Sequence, residues 1–416
     1  MSTFLAFTSP AAGHTFPLVP GLLALQERGH AVHLRTAPNL VDTVRAAGLC
    51  VESVDPRIPA IAARDYEAKS PQERLTRGLE NLMERGPYEA EELRRAIEAT
   101  RPDVLLVDMN AYGAVVGAEA SGLPWATTQP TLLAYPDDDV PPYGLGLRPA
   151  RGPLGRVRDR VLTRAIVRMY GKAMLPGINR LRRDAGLNEL GHVIEHVEAP
   201  QRLIVLTGEP LEYPRKHVPG FVRFVGAGLW DPRAATPDWL LEEGDPWVLV
   251  TCSTEYQGDE ALAAAAIEGL RDEPVRVVVT MADAYGASLP VAANARVERF
   301  VPHGPLLARA AAVVSHGGMG IVQKSVAAGV PLAVVPFGRD QPEVGRRVVE
   351  CGAGVMLSAK RLTPARLRGA VREAIARKSG AEAAGARLRA AGGPERFADE
   401  AEELAGAAVP LASATT

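Results

Sequence analysis

Residues 316–341 contain the most chemically informative pattern of the sequence. His316 follows a short apolar run, and three glycines after it let the backbone turn sharply and approach a ligand closely: Gly317, Gly318 and Gly320. A helix that begins at about residues 319–321 would direct its unpaired N–H groups and its positive dipole end at that turn, which suits a diphosphate. A turn that only joins a strand to a helix would show the same glycines, so both interpretations stay open on this pattern alone.

A second polar pair follows the next predicted strand. Residues 329–331 end the helix and begin a strand at 332–335, and Asp340 and Gln341 come at the following strand-to-helix junction. Because parallel strands end at one edge of their sheet, this pair should lie beside the His316 turn. A carboxylate and an amide are groups that bind sugar hydroxyls. The two loops therefore predict phosphate-binding N–H donors next to sugar-binding groups.

A candidate proton-transfer pair lies in the first third of the chain. His14 follows Gly13 and the first predicted strand, and Asp108 ends another strand, so both are expected at the carboxyl edge of one sheet. A neutral imidazole, with an unperturbed pKa of about 6.5, can take a proton from a hydroxyl. A carboxylate on the other ring nitrogen would orient it. The alternatives are a capping or core histidine and an aspartate that caps the following helix.

Alternating strands and helices would position these residues. Apolar strand patterns occur at 4–7, 31–34, 104–107, 247–251, 275–279, 312–314 and 332–335. Helical spacing occurs between them at 18–28, 40–47, 261–270, 321–328 and 343–351. This alternation predicts an α/β fold of two facing Rossmann-like, doubly wound domains, with ligands bound in the cleft between them.

Composition suggests where the domains divide. Residues 228–246 contain several prolines and are predicted to link an N-terminal domain, 1–227, to a C-terminal domain, 247–416. Helical composition is also found at 156–186 and 381–408. No strand follows the second of these stretches, which leaves open that the last helix packs back on the N-terminal domain.

Charge and cysteine content exclude several classes of protein. The 47 basic and 49 acidic residues give a net charge of −2, which is unlike a dedicated nucleic-acid binder. The three cysteines lie far apart and form neither a zinc pattern nor a disulfide framework, which predicts a reducing, cytoplasmic location. No run of about 18 apolar residues predicts a membrane span. Asp137, Asp138 and Asp139 lie in a proline-rich loop and are expected to be solvated rather than to bind a metal.

At residues 316–341 the sequence resembles the inverting nucleotide-sugar glycosyltransferases of family 1, which have the GT-B fold. It looks most like their bacterial natural-product branch, which includes macrolide glycosyltransferases. The resemblance covers the Gly13–His14 loop, the linker and nearly the whole C-terminal domain. It implies inverting transfer of a hexose, without a metal or cofactor, to a hydroxyl of a small apolar aglycone. UDP-glucose is the favoured donor, and a dTDP-deoxysugar is the alternative.

The resemblance also implies roles for individual residues. Phe300 would stack near the nucleobase, the backbone near Val301 would read the base edge, and His303 stands where the family often has Gln. The donor's diphosphate and sugar would be held by the remaining positions: Gly13, Ser253, Thr254, His316, Gly318, Met319, Gly320, Ile321, Asp340 and Gln341. His14 would deprotonate the acceptor, with Asp108 behind it.

Residue type alone allows other roles for several of these positions. Phe300 could be a core residue and His303 a surface or capping histidine, while Ser253 and Thr254 could cap the following helix.

Two positions depart from the family pattern. Ile321 replaces the usual Ser or Thr, so one hydroxyl contact to phosphate is missing. Lys324 stands where many relatives carry a Glu for the ribose, and an ammonium group cannot accept a hydrogen bond. A phosphate contact or a solvated helix residue is the alternative role for Lys324.

The acceptor site is expected among N-terminal loops rich in Tyr, Met, Leu and Pro, although ordinary loop packing uses the same residue types. The candidate segments are 56–66, 110–112, 130–143 and the helix near 169–174. Two other functions fit the same two-domain plan. One is a sugar-nucleotide epimerase or phosphorylase, and the other is a catalytically silent helper that binds a transferase partner. The oligomeric state is not determined by the sequence.

Overall fold

Two parallel β-sheets organise the chain; the structure, a computed structural model, describes residues 1–62, 64–254, 257–282, 285–286 and 288–407. The strands of the first sheet are β1 (Thr3–Phe7), β2 (Ala31–Thr36), β3 (Cys50–Ser53), β4 (Val104–Asp108), β5 (Trp125–Gln129), β6 (Arg202–Val205) and β7 (Val222–Phe224). Those of the second are β8 (Trp247–Thr251), β9 (Arg276–Thr280), β10 (Ala295–Glu298), β11 (Ala310–Ser315), β12 (Leu332–Val334) and β13 (Gly354–Met356).

Helices cover both faces of each sheet. The N-terminal helices are α1 (Ala12–Thr15), α2 (Val19–Glu27), α3 (Val41–Arg45), α4 (Arg57–Ala60), α5 (Pro71–Thr100), α6 (Tyr112–Ser121), α7 (Pro153–Asp184) and α8 (Val193–Glu198). They are followed by α9 (Asp238–Leu241), α10 (Glu260–Gly269), α11 (His303–Leu307), α12 (Met319–Ala327), α13 (Gln341–Glu350), α14 (Pro364–Ile375), α15 (Lys378–Ala390) and α16 (Pro394–Ala407).

Strand order confirms the predicted doubly wound architecture. The first sheet runs β3-β2-β1-β4-β5-β6-β7 and the second β10-β9-β8-β11-β12-β13, with parallel pairing throughout the described strands. The chain reverses its direction of winding between β1 and β4 and again between β8 and β11. Loops at such switch points open a crevice at the carboxyl ends of the strands. Each predicted strand is present, with its ends displaced by at most two residues.

Helix α5 was not predicted, because its many charged residues make the apolar positions on its buried face hard to recognise in the sequence. Ser70 accepts a hydrogen bond from the N–H of Glu73 at 3.1 Å, and Glu73 accepts one from the N–H of Lys69 at 2.9 Å. This reciprocal cap starts the helix. Leu93 and Ala96 then pack under the first sheet. Gly113 of α6 lies so close to α5 that a Cβ there would be 1.7 Å from the carbonyl oxygen of Gly86.

The helical stretch predicted at 381–408 is present, but it is divided into two helices, α15 and α16. The chain breaks at Gly392 and Gly393, whose φ angles of 123° and 151° are disfavoured for other residues, and Pro394 starts α16. The break turns α16 back to the N-terminal domain, where Phe397 joins the core formed by β1 and α2. Residues 408–416, the end of the predicted C-terminal domain, lie outside the described residues.

The predicted linker, 228–246, packs against both domains at separate points, while other parts of it, including 241–246, are exposed. Trp230 contacts the ring of Phe16 with a centroid separation of 5.0 Å, and a Cβ at Gly228 would be 1.8 Å from the carbonyl oxygen of Pro17. Further along, α9 buries Leu240 in the core of the C-terminal domain. The linker therefore contacts both domains.

Direct hydrogen bonds join the loops that follow the two sheets. The hydroxyl of Thr131, just after β5, donates to Oδ2 of Asp340, after β12, at 2.7 Å. Arg74 at the start of α5 donates to the carbonyl of Phe337 at 2.7 Å. Asp65 accepts a hydrogen bond from Arg339 at 2.8 Å. The carboxyl ends of the two sheets therefore face each other across one cleft.

Candidate active site

His14 and Asp108 are brought together by neighbouring strands. His14 lies in α1, directly after β1, and Asp108 is the last residue of β4. Nδ1 of His14 is 2.8 Å from Oδ2 of Asp108, whose side chain is 1% exposed while that of His14 is 23% exposed. A carboxylate facing Nδ1 favours the tautomer with its proton on that nitrogen, so Nε2 carries the lone pair. This is the geometry that an oriented general base requires.

Two neighbours that the sequence analysis did not assign to this pair fix its orientation. The hydroxyl of Ser9 donates to Oδ1 of Asp108 at 2.8 Å, and the backbone N–H of Asn110 donates to the same oxygen at 2.9 Å. The side-chain nitrogen of Asn110 lies 3.4 Å from Nε2 of His14. Both residues are within two positions of a strand end, which is the only signal that the sequence offered for them.

A second buried acid, Glu89 of α5, lies near this pair. Its Oε2 accepts a hydrogen bond from the N–H of Gly113 at 3.1 Å, and its Oε1 is 3.7 Å from Nε of Arg85. Burial raises the pKa of Glu89 to about 7, and the charge of Asp108 adds to this rise. The carboxyl group of Glu89 therefore changes its protonation near neutral pH.

The turn between β11 and α12 has the geometry of an anion site. Gly317 has a φ of 100°, and a Cβ at Gly318 would lie 2.6 Å from Nε2 of His316, so glycine lets the imidazole lie against the helix start. Gly318 is the N-cap residue of α12 and supplies no capping side chain. The N–H groups of the first turn, which includes Met319, Gly320 and the buried Ile321, are thus left for an anion.

His316 is positioned beside a buried aspartate that the sequence analysis missed. Burial lowers the pKa of His316, which keeps the ring neutral at pH 7, and its Nδ1 lies 3.9 Å from Oδ2 of Asp259. The same oxygen accepts hydrogen bonds from the backbone N–H and the hydroxyl of Ser253, at 2.8 and 2.9 Å. Asp259 therefore holds the loop after β8, while Thr254 in that loop is exposed.

The segment after β10 presents an aromatic surface. Phe300 is 47% exposed and Val301 is 1% exposed, so the first is available to a ligand while the second packs in the core. His303 begins α11, and burial together with the charge of Lys324 lowers its pKa to about 4. His303 is thus a neutral, largely buried ring rather than a surface histidine.

Lys324 is not a solvated helix residue. Its Nζ is 2.5 Å from Oδ1 of Asp231 in the linker. The other oxygen of Asp231 accepts a hydrogen bond from the N–H of Gly304 at 3.1 Å. Lys324 therefore forms an ion pair with Asp231, which belongs to the linker.

Asp340 and Gln341 lie where predicted, at the carboxyl end of β12, but their side chains differ in availability. Asp340 has one oxygen bonded to Thr131 and makes no side-chain cap to α13. The amide oxygen of Gln341 accepts hydrogen bonds from the N–H groups of Phe337 and Gly338, at 2.7 and 3.0 Å. Its nitrogen donates to Gln257 at 2.8 Å. Gln341 thus braces the loop that carries Asp340.

Each of the three consecutive aspartates at 137–139 pairs with a different basic side chain. Asp137 pairs with Arg215, Asp138 with Arg160 and Asp139 with Lys216. Among the described residues, no three His, Cys, Asp or Glu side chains are grouped closely enough to hold a metal ion. None of the helices in the described ranges has the length and apolar character needed to cross a membrane.

Comparisons with known proteins show which family this chain resembles. Residues 265–401 match the model of the Erythromycin biosynthesis protein CIII-like, C-terminal domain family. The chain is 33% identical over 393 residues to 4'-demethylrebeccamycin synthase of Lentzea aerocolonigenes, covering 89% of this chain and 91% of that protein.

Two solved structures show the same fold. The glycotransferase of kitacinnamycin superposes with a TM-score of 0.76 at 24% identity, over 97% of this chain and 99% of that one. The glycosyltransferase VinC in complex with dTDP gives a TM-score of 0.71 at 23% identity, over 97% and 100% of the two chains.

Proposed function

This chain belongs to the family 1 natural-product glycosyltransferases of the GT-B fold, and from that premise we propose that it transfers a hexose from a nucleotide-diphosphate sugar to a hydroxyl of an apolar, natural-product-like aglycone. The transfer inverts the anomeric carbon. The observation that carries this proposal is the pair formed by His14 and Asp108, at 2.8 Å, at the carboxyl end of the first sheet.

The donor binds to the C-terminal domain. Its diphosphate accepts hydrogen bonds from the first turn of α12 and from His316, and its base lies against Phe300. The free oxygen lone pairs of Asp340 accept hydrogen bonds from sugar hydroxyls, which favours UDP-glucose over a donor whose sugar lacks hydroxyls. A dTDP-deoxysugar is the second candidate, supported by the bound dTDP of the VinC structure.

Catalysis is a single displacement. The acceptor hydroxyl takes the place of the Asn110 side chain beside Nε2 of His14. Nε2 removes the hydroxyl proton while the acceptor oxygen bonds to C1 of the sugar. The bond between C1 and the phosphate oxygen breaks on the opposite face, and the nucleoside diphosphate leaves with both electrons. Asp108 stabilises the imidazolium that forms. N–H donors and the dipole of α12 stabilise the charge of the leaving group, a role that needs no metal in this scheme.

The acceptor binds among the N-terminal loops. Asn110 and Thr131 lie at the ends of β4 and β5, beside His14 and Asp340 respectively, so the acceptor approaches the donor from this side. A cytoplasmic location is expected from the cysteine content. We expect neither a nucleic-acid partner nor a cofactor.

Product analysis tests the proposal. The purified protein is incubated with UDP-glucose or dTDP-sugars and a panel of hydroxylated aromatic and polyketide aglycones, and products are identified by mass spectrometry. The anomeric coupling constant in the NMR spectrum should report a β-linkage from an α-linked donor. An α-linked product from an α-linked donor would contradict the single displacement. An isomerised nucleotide sugar without transfer would instead indicate the epimerase alternative.

A further inference from the structure

The ion pair between the linker and α12 has no role in the scheme above. Asp231 and Lys324 approach to 2.5 Å, and their side chains are 24% and 16% exposed. The second carboxylate oxygen is held by the N–H of Gly304. The carboxylate is therefore fixed between three segments: the linker, α11 and α12.

The orientation of the donor places this pair beside the ribose. With the diphosphate at the first turn of α12 and the base against Phe300, the ribose lies between these two points. Lys324 is five residues after Met319, about 7.5 Å along the helix axis. His303 follows closely after Phe300, and its Nδ1 is 3.9 Å from Oδ1 of Asp231. Asp231, which lies 2.5 Å from Lys324 and 3.9 Å from His303, is therefore expected near the ribose.

The chemistry of these groups fits ribose hydroxyls. Each oxygen of Asp231 has one lone pair engaged, by Lys324 or Gly304, and one left to accept a hydrogen bond from a hydroxyl. Lys324 has further N–H groups to donate to a ribose oxygen. Within the described part of the chain, Nδ1 of His303 is buried without a hydrogen-bond partner, which points to a group that the ligand supplies.

We propose that Asp231 is the carboxylate that binds the ribose of the donor, supplied by the interdomain linker, and that Lys324 positions it. This inference rests on the proposed function, because it needs a nucleoside diphosphate in the C-terminal site. It also makes the linker a part of the donor site rather than only a connection between domains.

Calorimetric titration of wild-type protein and Asp231→Asn tests the assignment. Each nucleotide is compared with an analogue that lacks its free ribose hydroxyls. UDP is compared with 2',3'-dideoxyuridine diphosphate, and dTDP with 3'-deoxythymidine diphosphate. Loss of a charge-assisted hydrogen bond should weaken binding of UDP or dTDP about 10- to 100-fold. The affinity of wild-type protein for each analogue that lacks the hydroxyls should be within about twofold of the affinity of Asp231→Asn for the same analogue. Asp245→Asn, an exposed change in the same linker, should leave both affinities unchanged.

Lys324→Met provides a second, independent measurement, since it keeps the carboxylate and removes its tether. A smaller loss, again restricted to ligands that carry the hydroxyls, is expected. Equal losses for a nucleotide and its deoxy analogue would show a merely structural role and overturn the proposal, as would unchanged affinities. With either of these results, the proposed function would still stand as long as wild-type protein binds the nucleotide. Failure of wild-type protein to bind UDP and dTDP would contradict the proposed donors and this assignment together.

Discussion

His14 and Asp108 are separated by 94 positions in the chain, yet Nδ1 of the first lies 2.8 Å from Oδ2 of the second. Adjacent parallel strands β1 and β4 produce this contact, because both end at the same edge of the sheet. The imidazole of His14 is partly exposed, so its Nε2 can contact a ligand. The carboxylate of Asp108, which orients the ring, is buried away from solvent.

Replacing His14 by Ala should reduce glycosyl transfer about 10²- to 10⁴-fold, because the general base is lost. Nucleotide affinity should stay within about twofold, since the donor site lies in the other domain. Initial rates and calorimetric titration measure the two quantities. His217→Ala, which removes an exposed histidine, is the matched control and should behave as wild type. Near-normal turnover of the His14 variant would exclude this residue as the base.

Replacing Asp340 by Ala should raise the KM for the nucleotide sugar about 10-fold or more, because a carboxylate that accepts from sugar hydroxyls is removed. The affinity for the free nucleoside diphosphate should not change, since α13 does not depend on this side chain for its cap. Thr131→Val keeps the carboxylate and removes only its cross-cleft partner, so a smaller effect is expected. Equal weakening of nucleotide and nucleotide sugar would argue against a sugar contact.

Replacing Gly113 by Ala should lower the free energy of unfolding by about 1–3 kcal/mol or prevent folding, because a Cβ would lie 1.7 Å from the carbonyl oxygen of Gly86. Gly117, one turn later on α6, is the control: its nearest neighbour would be 3.4 Å away, on Leu93. Ala at 117 should be neutral or stabilising, since Ala favours helix over Gly. Denaturant titration distinguishes the two. Equal stability of both variants would contradict the close packing of α5 and α6.

His196 should make stability fall in acid. The ring stacks on Tyr112 at 5.1 Å, and burial lowers the pKa of His196 to about 4, below its unfolded value of about 6.5. The unfolded state therefore binds more protons in this window, so stability is lost as pH falls from 6.5 to 4. The contribution is on the order of 3 kcal/mol.

The variant His196→Phe keeps the stacked ring and removes the titration. Free energies of unfolding measured at pH 5 and pH 7 should therefore differ less in this variant than in wild type. An unchanged pH dependence would show that His196 is not the responsible group.

The part of the site that depends on local sequence was predictable. The turn at His316 and the start of α12 follow from glycines and from helix geometry within a few residues, and the structure has the helix beginning at Met319. Strands β1, β4 and β8 were predictable for the same reason, since each is a short apolar run. Six strands were missed: β3, β5, β6, β7, β10 and β13. All of them except β5 have only three or four residues, and a run that short does not distinguish a strand from buried loop.

The partners of the site residues required the tertiary structure. Asp231 reaches Lys324 across 93 positions, and Thr131 reaches Asp340 across 209, with no local pattern to indicate either contact. The sequence by itself determined the two-domain α/β plan and the chemical groups at the strand ends, because periodicity and turn chemistry act over short distances. Only the folded chain decided which of those groups meet, because that depends on strand order, on the closing of two domains and on a linker packed between them.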